Sequence, residues 1–514
     1  MGFDFRLPGA YNHLMRQLDV LFVEGNSTRE SYQGLAEKFA AVEVPVWSLL
    51  LAGSCRAKGY GVSILDCNAE NLNVEQASSR IKEINPKLVV FVVYGQNPNS
   101  GTCNMIGCYK LAQRLKQDKN YKIAFIGSHT SAVPKEVLAQ KFVDFVIIGD
   151  GVYCLHNLLK TDLNSKLSEV KGLGWKIDEF QQINSPERVV AGGEEMDREL
   201  PEYAWDLVDL SKYRSHYWHS NFTDSRRTPF ASLYTSFGCQ FSCSFCMISM
   251  VNRQSFADDY STEKRNFMRS WSPGYLLKEF EKLADLGVKT LRISDEMWFL
   301  NSKNFEPLMK GIIDRGLKFD MWGYSRVSTI QEKYLDLFKQ AGINWLAIGV
   351  EAAAKSVRLE ATKGSFGNEN VVNGINKIRS AGINTIANYI FGLPEDNLQT
   401  MQETLDLALS LNTETANFYS AAALPGSELY LQAKRNNWEL PKTFDGYSFL
   451  GYETLPLPTN YVSAKDVLKF RDQAWSTYFS NPAYLSLVES KFGIQQRKNI
   501  EEMSKIKLKR RILE

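Results

Sequence analysis

Three cysteines fall within eight residues in the stretch Gly238-Cys239-Gln240-Phe241-Ser242-Cys243-Ser244-Phe245-Cys246, a C-x3-C-x2-C pattern. Thiolates are the standard ligands of iron–sulfur clusters. Three of them on one short loop hold three irons of a cubane and leave the fourth without a protein ligand. An open metal position is what catalysis needs, because a substrate can bind there. Structural zinc is the rival reading and wants four ligands. No nearby Cys or His has finger spacing; His216 and His219 lie upstream. The other five cysteines, Cys55, Cys67, Cys103, Cys108 and Cys154, are scattered. Such a layout is not a secreted disulfide framework and suits a reducing compartment.

Two series of alternating elements surround this loop. In the first, strands are expected at 18–24, 62–66, 88–94, 122–126 and 142–148, and helices at 45–58, 75–84, 103–115 and 134–141. Pro45 sits near the first turn of its helix and Gly59 stops it. Alternation of short apolar strands with helices implies a doubly wound parallel sheet. Residues 150–228 are less regular, with a strand-like piece at 172–177 and a Trp/Tyr-rich stretch at 203–218, and read as a connector. The second series starts at Phe230, with strands at 232–237, 290–294, 319–324, 345–350, 383–391 and 415–420. Helices such as 273–284 and 398–410 lie between them. Six βα units are too few for a complete eight-fold barrel and imply an open one. The cysteines follow its first strand directly, at the barrel end where loops carry the chemistry. Helices are expected at 464–479, 483–492 and 500–509.

The bulk numbers agree with a multidomain globular chain. Its 514 residues exceed one ordinary domain, and 44% are hydrophobic and 23% charged. With 60 basic against 58 acidic side chains, net charge gives no reason to expect a nucleic-acid partner. The basic run Lys505, Lys507, Lys509, Arg510, Arg511 reads as the solvated end of a helix. No apolar run reaches the roughly 18 residues of a membrane span, and residues 1–17 lack a signal-peptide core, so a cytoplasmic protein is expected.

The cysteine pattern after the first strand of a six-fold βα series resembles the radical S-adenosylmethionine superfamily. The resemblance implies a [4Fe–4S] cluster on Cys239, Cys243 and Cys246, whose open iron is chelated by S-adenosylmethionine. It also implies cleavage of that cofactor to methionine and a 5′-deoxyadenosyl radical, with flavodoxin or ferredoxin as electron donor. Cofactor-contacting residues follow motif by motif. Ser294, Asp295 and Glu296 end the second strand, where the family meets the methionine amino group. Arg326 follows the third strand, near the methionine carboxylate. Glu351, in Ile348-Gly349-Val350-Glu351-Ala352, resembles the acid of the "GIES" strand that meets the ribose, with Ala352 where the family often has Ser. Thr362-Lys363-Gly364 matches the Lys-Gly loop. Asn388 and Gly392, in Phe391-Gly392-Leu393-Pro394, resemble the "GLP" region near adenine. Leu424-Pro425-Gly426-Ser427 resembles the "PGT" turn, and Phe245 fits the aromatic slot before the last cysteine.

The N-terminal part resembles the cobalamin-binding domain found ahead of many such barrels. Residues 45–66, Ile126-Gly127-Ser128-His129-Thr130 with Pro134, and 144–151 carry the likeness, with Ser128 and Asp150 where Gly and Glu are usual. It implies cobalamin over the C-terminal strand edge, against Gly95, Gln96 and Asn97, Gly127, Ser128 and His129, and Gly149, Asp150 and Gly151. No D-x-H-x-x-G stretch is present, so no histidine is expected on the lower cobalt face. The division is 1–150 for a cobalamin-binding-like Rossmann domain, 151–229 for a connector, 230–435 for a partial (β/α)6 TIM-like barrel, and 436–514 for a mainly helical segment closing the barrel mouth. A methylthiotransferase with a second cluster on the scattered cysteines is the weaker relative, since Cys55 and Cys67 read as buried apolar residues.

The leading expectation is C-methylation of an unactivated carbon of a small-molecule or lipid substrate by methylcobalamin. The alternatives are a radical rearrangement, cyclisation, dehydration or epimerisation, and a non-catalytic iron–sulfur sensor or assembly protein. No proton-transfer residue is singled out by the sequence.

Overall fold

A computed structural model describes residues 17–95, 97–118, 121–221, 227–362 and 367–514. Its strands are β1 (Val20–Glu24), β2 (Val62–Asp66), β3 (Leu88–Val92), β4 (Lys122–Ile126), β5 (Phe145–Ile147), β6 (Leu173–Ile177), β7 (Phe180–Ile183), β8 (Phe230–Leu233), β9 (Ser236–Phe237), β10 (Arg269–Ser270), β11 (Thr290–Ile293), β12 (Asp320–Arg326), β13 (Ile343–Glu351), β14 (Asn384–Phe391) and β15 (Thr415–Ser420).

Among the described residues, β1 to β5 form a parallel sheet in the order 2-1-3-4-5. All five residues of β3 are buried, as expected for a strand covered by helices on both faces. The connection reverses direction between β1 and β3, and the crevice outside their C-terminal ends is where such sheets bind ligands. The helices Val46–Ala57 and Gly101–Asp118 leave from this edge. The parallel reading needs one extension. Strands β6 and β7, from the expected connector, continue the same sheet, with β6 antiparallel to β5 and β7 antiparallel to β6. A short hairpin gives no helix-crossover signal, so a reading based on βα alternation leaves it outside.

The second sheet is parallel, in the order 15-14-13-12-11-8. No pairing joins β8 to β15 among the described residues, so it is a curled partial barrel. Strands β9 and β10 form a separate antiparallel pair beside the cysteine loop. The expected first strand, 232–237, is thus two pieces, β8 and β9.

The two sheets meet at an aromatic stack. Trp47 lies between Tyr94 and Phe237, with centroids 4.0 and 4.4 Å away and planes within 19° and 14°. Tyr94 follows β3, Trp47 opens the first helix, and Phe237 ends β9, two residues before Cys239. The Tyr94 hydroxyl donates to the Gly149 carbonyl. A buried ion pair lies alongside. Arg269 Nη1 is 2.6 Å from Asp150 Oδ2, and both side chains are almost fully buried. The same Asp150 oxygen accepts from the Val190 amide at 2.8 Å.

The C-terminal helices are Ala464–Phe479, Pro482–Phe492 and Ile494–Ser504. The last starts six residues earlier than expected and stops before the basic run. Gly493, at φ +88°, ends one helix and allows the next to begin at once. The basic run is also not simply a solvated helix end. Arg510 is 3% exposed, donates to Asp472 Oδ1 and Oδ2 at 2.8 and 2.9 Å, and holds the Gly451 carbonyl at 2.9 Å. Gln33 ties this region to the segment after β1, donating to the Leu450 carbonyl at 2.7 Å and accepting from the Lys509 amide at 3.1 Å.

Candidate functional site

One cavity of about 580 Å³ lies between the two sheets and runs into the barrel. The cysteine loop forms part of its wall, and Cys239, Cys243 and Cys246 all line it. Backbone bonds fix the loop. The Ser244 amide donates to the Ala361 carbonyl at 2.8 Å, the Ser244 carbonyl accepts from the Leu429 amide at 2.9 Å, and the Cys246 amide donates to the Cys243 carbonyl at 3.1 Å. Burial pushes the Cys239 thiol up to about 11 and the Cys243 thiol up to about 12. Three half-buried thiols with raised pKa become thiolates only beside strong positive charge, which an iron cluster supplies. Among the described residues no three His, Cys, Asp or Glu side chains converge on one metal position. In a cubane each thiolate binds a different iron, so the three sulfurs need not meet at one point. The donor set therefore suits a three-thiolate cluster.

The N-terminal sheet reaches this loop through Asn99. Its Oδ1 accepts from the Met247 amide at 2.9 Å, and its Nδ2 stands 3.6 Å from Cys246 Sγ.

Ser294, Glu296, Arg326, Glu351, Asn388 and Phe245 also line the cavity. Ser294 Oγ, Glu296 Oε1 and Arg326 Nη1 are buried with no hydrogen-bond partner, so polar atoms of both signs face the space beside the cysteines. The centre of the Arg326 guanidinium stands 4.1 Å over the Phe241 ring. Burial raises the Glu296 carboxyl well above its ordinary range and takes Glu351 to about 7, against the opposing pull of Arg326. Asn388 Oδ1 accepts from Asn417 Nδ2 at 2.9 Å.

The backbone explains how Glu351 turns inward. The β13–β14 register shifts between Gly349 and Glu351, and Glu351 takes φ +63°. A bulge of this kind re-aims a side chain at a strand end. The carboxylate folds back over Gly349, where an added Cβ would lie 2.3 Å from Glu351 Oε1.

Asp295 and Gly392, two expected cofactor contacts, do not line the cavity and make contacts within the frame. Asp295 accepts from Thr235 N, Thr235 Oγ1 and Ser236 Oγ, each at 2.6 Å. It ties the end of β11 to the chain just before the cysteine loop and does not line the cavity. Gly392, at φ +84°, packs against the C-terminal helix, where a Cβ would meet Val467 Cγ1 at 2.4 Å. The Lys-Gly loop at Lys363 and Gly364 lies outside the described residues, as does Gln96.

The N-terminal expectations divide in the same way. Gly95 and Asn97 line the cavity, and Asn97 Oδ1 is buried without a partner. Gly127, Ser128, His129, Gly149, Asp150 and Gly151 do not line it. His129 is 6% exposed, within hydrogen-bond distance of Thr102 Oγ1 at 3.1 Å and edge-on to Phe444, and burial drives its pKa down to about 3. Ser128 Oγ donates to the Pro98 carbonyl at 2.6 Å. Gly127 and Gly149 are sites of close backbone approach, with Val93 and Arg253 respectively. Asp150 is spent on Arg269. In this structure their contacts are with neighbouring segments at the sheet edge.

Several cavity residues escaped the sequence reading. Glu24 and Asp66 end β1 and β2 and line the crevice. Glu24 accepts from Ser48 Oγ at 2.6 Å, and burial raises it and takes Asp66 to about 6. The strand-order rule points to Glu24, which ends a strand at the switch point, and Asp66 ends the neighbouring β2. Glu43 and Arg292 had no such signal, whereas Asn99 falls in the loop 94–102 that the cobalamin-domain resemblance offers as a candidate. Among the described residues of the N-terminal sheet, no histidine lines the cavity. The unpartnered Asn97 oxygen, the open crevice and the protonatable acids suit a large polar-edged ring system such as cobalamin.

This arrangement of a switch-point crevice facing a three-cysteine barrel mouth defines a class. The chain carries a radical SAM superfamily domain over residues 233–408, preceded by a B12-binding domain over residues 32–159. Its cofactors are accordingly a [4Fe–4S] cluster, S-adenosylmethionine and cobalamin. An uncharacterised methyltransferase of Pyrococcus horikoshii is 24% identical over 86% of this chain and 89% of its own length. The anaerobic magnesium-protoporphyrin IX monomethyl ester cyclase of Rubrivivax gelatinosus is 26% identical over 91% and 78%. Among solved structures, the cobalamin-dependent radical enzyme OxsB with aqua-cobalamin and S-adenosylmethionine bound superposes with a TM-score of 0.66 at 14% identity, covering 95% of this chain and 70% of that one. No helix among the described residues is long and apolar enough to cross a membrane.

Proposed function

We propose that this chain is a cobalamin-dependent radical enzyme that methylates an unactivated carbon of a small-molecule or lipid substrate. The observation that carries the reading is the single cavity shared by the three cysteines and the B12-domain crevice, which brings two cofactors to one substrate. When bound, the cluster and S-adenosylmethionine supply a hydrogen-abstracting radical, and cobalamin supplies a transferable methyl group.

In this reading Cys239, Cys243 and Cys246 hold the cluster. Arg326 faces the methionine carboxylate, Ser294 and Glu296 the amino group, and Glu351 the ribose diol, which a carboxylate suits by accepting two hydrogen bonds. Asn388 and Phe245 lie toward adenine, and Gly95 and Asn97 toward cobalamin. Closure of the cavity by both sheets and by the C-terminal helices excludes water from the radical. The eight cysteines are free, which suits a reducing cytoplasm, and flavodoxin or ferredoxin is the electron donor in this scheme.

The test is anaerobic purification with cobalamin supplied, cluster reconstitution, and reduction in the presence of S-adenosylmethionine. A cobalamin absorbance band and formation of 5′-deoxyadenosine are expected, with S-adenosylhomocysteine accompanying it when methyl is transferred. A reduced, loaded protein that makes no 5′-deoxyadenosine is a sensor or assembly protein instead. One observation favours a second reading: the Rubrivivax relative is named a cyclase. Turnover that yields 5′-deoxyadenosine without S-adenosylhomocysteine would select rearrangement or cyclisation.

Two substitutions probe the same assignments. Gly349→Ala drives the Glu351 carboxylate out of its fold-back position at little cost to the fold, because the clash is with a flexible side-chain end. S-Adenosylmethionine is then expected to bind about tenfold more weakly or worse, the size of a lost hydrogen bond to a charged group, as read by equilibrium dialysis. Asn99→Ala removes an amide donor beside Cys246 Sγ. Hydrogen bonds to the sulfurs of an iron–sulfur cluster set its potential and favour the extra negative charge of the reduced state. The variant's cluster is therefore expected to be harder to reduce, with a more negative midpoint in an EPR-monitored redox titration.

A further inference from the structure

One charged group in the cavity has no task in the cofactor scheme. Arg292 lies on β11, two residues before Ser294, and therefore points to the same face of the strand, about 6–7 Å further down the barrel. Its guanidinium is 1% exposed. Nη1 donates to both oxygens of Glu43, at 2.6 and 2.5 Å. The rings of Trp322 and Tyr324 cover it, with centroids 4.8 and 5.7 Å from the guanidinium carbon. Nε and Nη2 have no hydrogen-bond partner.

This is an unusual way to leave a buried arginine. A guanidinium offers five in-plane N–H donors, and the ring contacts at 4.8 and 5.7 Å supply no oxygen or nitrogen acceptor to Nε and Nη2. Leaving buried donors unpaired is costly to a fold. The two open atoms are those of the Nε–Nη2 edge, the parallel fork that matches the paired oxygens of a carboxylate or phosphate. The nearby basic side chain does not compete for that role: His216, 3.8 Å from Glu43, is held neutral by burial and by the Arg292 charge. Arg292, Glu43, Trp322, Tyr324, His216 and Trp218 all line the cavity. The ion pair to Glu43 fixes the guanidinium, and the aromatic rings beside it offer apolar surface for the rest of a ligand.

We propose that the Nε–Nη2 fork of Arg292 is the substrate anchor, and that the substrate bears a carboxylate or phosphate on an apolar body lying against Trp322, Tyr324 and Trp218. This deepens the functional reading above and rests on it for the word substrate, while the binding site itself does not depend on turnover.

The test uses the reconstituted full chain and three probes of one chain length, decanoate, decyl phosphate and decanol, titrated by calorimetry. One of the two anions is expected to bind saturably and at least about tenfold tighter than decanol; which one does so tells carboxylate from phosphate. Arg292→Lys keeps the charge beside Glu43 but loses the fork. It is expected to weaken the anion by about tenfold or more while leaving S-adenosylmethionine affinity unchanged. Should Arg292→Lys fail to fold, the uncharged double variant Arg292→Gln/Glu43→Gln replaces it, with the same expected loss. Equal binding of decanol, no binding of either anion, or an anion affinity indifferent to the substitution would each overturn the proposal. So would a matching fall in S-adenosylmethionine affinity, which would assign the fork to the cofactor. Absence of 5′-deoxyadenosine from the wild-type protein would remove the functional reading and leave the anion site standing on its own titration.

Discussion

Cys243→Ala is expected to abolish 5′-deoxyadenosine formation and to leave the reconstituted protein without a stable [4Fe–4S] absorbance or EPR signal. Each of the three thiolates binds a separate iron in the proposed cluster, so the loss is not shared among the others. The sulfur sits in a loop whose backbone bonds run from Ser244 to Ala361 and Leu429 and do not involve the Cys243 side chain. The apoprotein should therefore keep its secondary structure and its thermal midpoint within a few degrees, and should still retain cobalamin. Cys55→Ala, in the helix of the N-terminal sheet, serves as the contrast: a buried cysteine with no ligand role should leave the cluster signal intact. Full activity in Cys243→Ala would remove the central claim about the site.

The second large effect is structural. Arg269→Met is expected to destabilise the protein by about 3–5 kcal/mol, because it leaves the Asp150 carboxylate charged, buried and unpaired. Arg269 also donates to the Val190 carbonyl at 2.5 Å and to Asn252 Oδ1 at 3.0 Å, so the change loosens the β9–β10 pair that leads into the cysteine loop. Chemical denaturation reads the loss directly. Adding Asp150→Asn should recover part of it, since the double variant no longer buries an unpaired charge. No recovery would mean that the packing of the Arg269 side chain over Phe237, 5.4 Å away, matters more than the charge.

These two sites show how unevenly the sequence exposes its chemistry. The cysteine loop was readable because three identical ligands within eight residues, with no fourth at finger spacing, suit little besides an open cluster. The βα alternation gave both parallel sheets, and β2, β4 and β15 fall on their expected bounds. The motif residues were harder. Ser294, Glu296, Arg326 and Glu351 face the cavity, while Asp295 and Gly392 in the same motifs hold strands and helices in place. A motif records that a residue type is needed at a position, and a hydrogen bond to a neighbouring strand can need it as much as a cofactor does. Asp150 and His129 make the same point in the N-terminal sheet. Glu43 and Arg292 were invisible for a different reason: they are 249 residues apart and acquire meaning only when two domains pack. Of the β6–β7 hairpin, β6 was read as a strand-like piece at 172–177, while β7 and the pairing to the first sheet were missed because β7 is short and largely exposed.

The C-terminal wall has a consequence for how the protein is loaded. Tyr447, Phe449, Leu450, Trp475, Phe479 and Met503 complete the cavity, and the ties from Arg510 to Asp472 and from Gln33 to Leu450 and Lys509 hold that wall shut. During synthesis every other residue of the site exists before this wall does. The cysteine loop and the crevice are therefore synthesised before the segment that walls them in. Once made, that wall places its side chains and the ties behind them between the cofactor space and solvent.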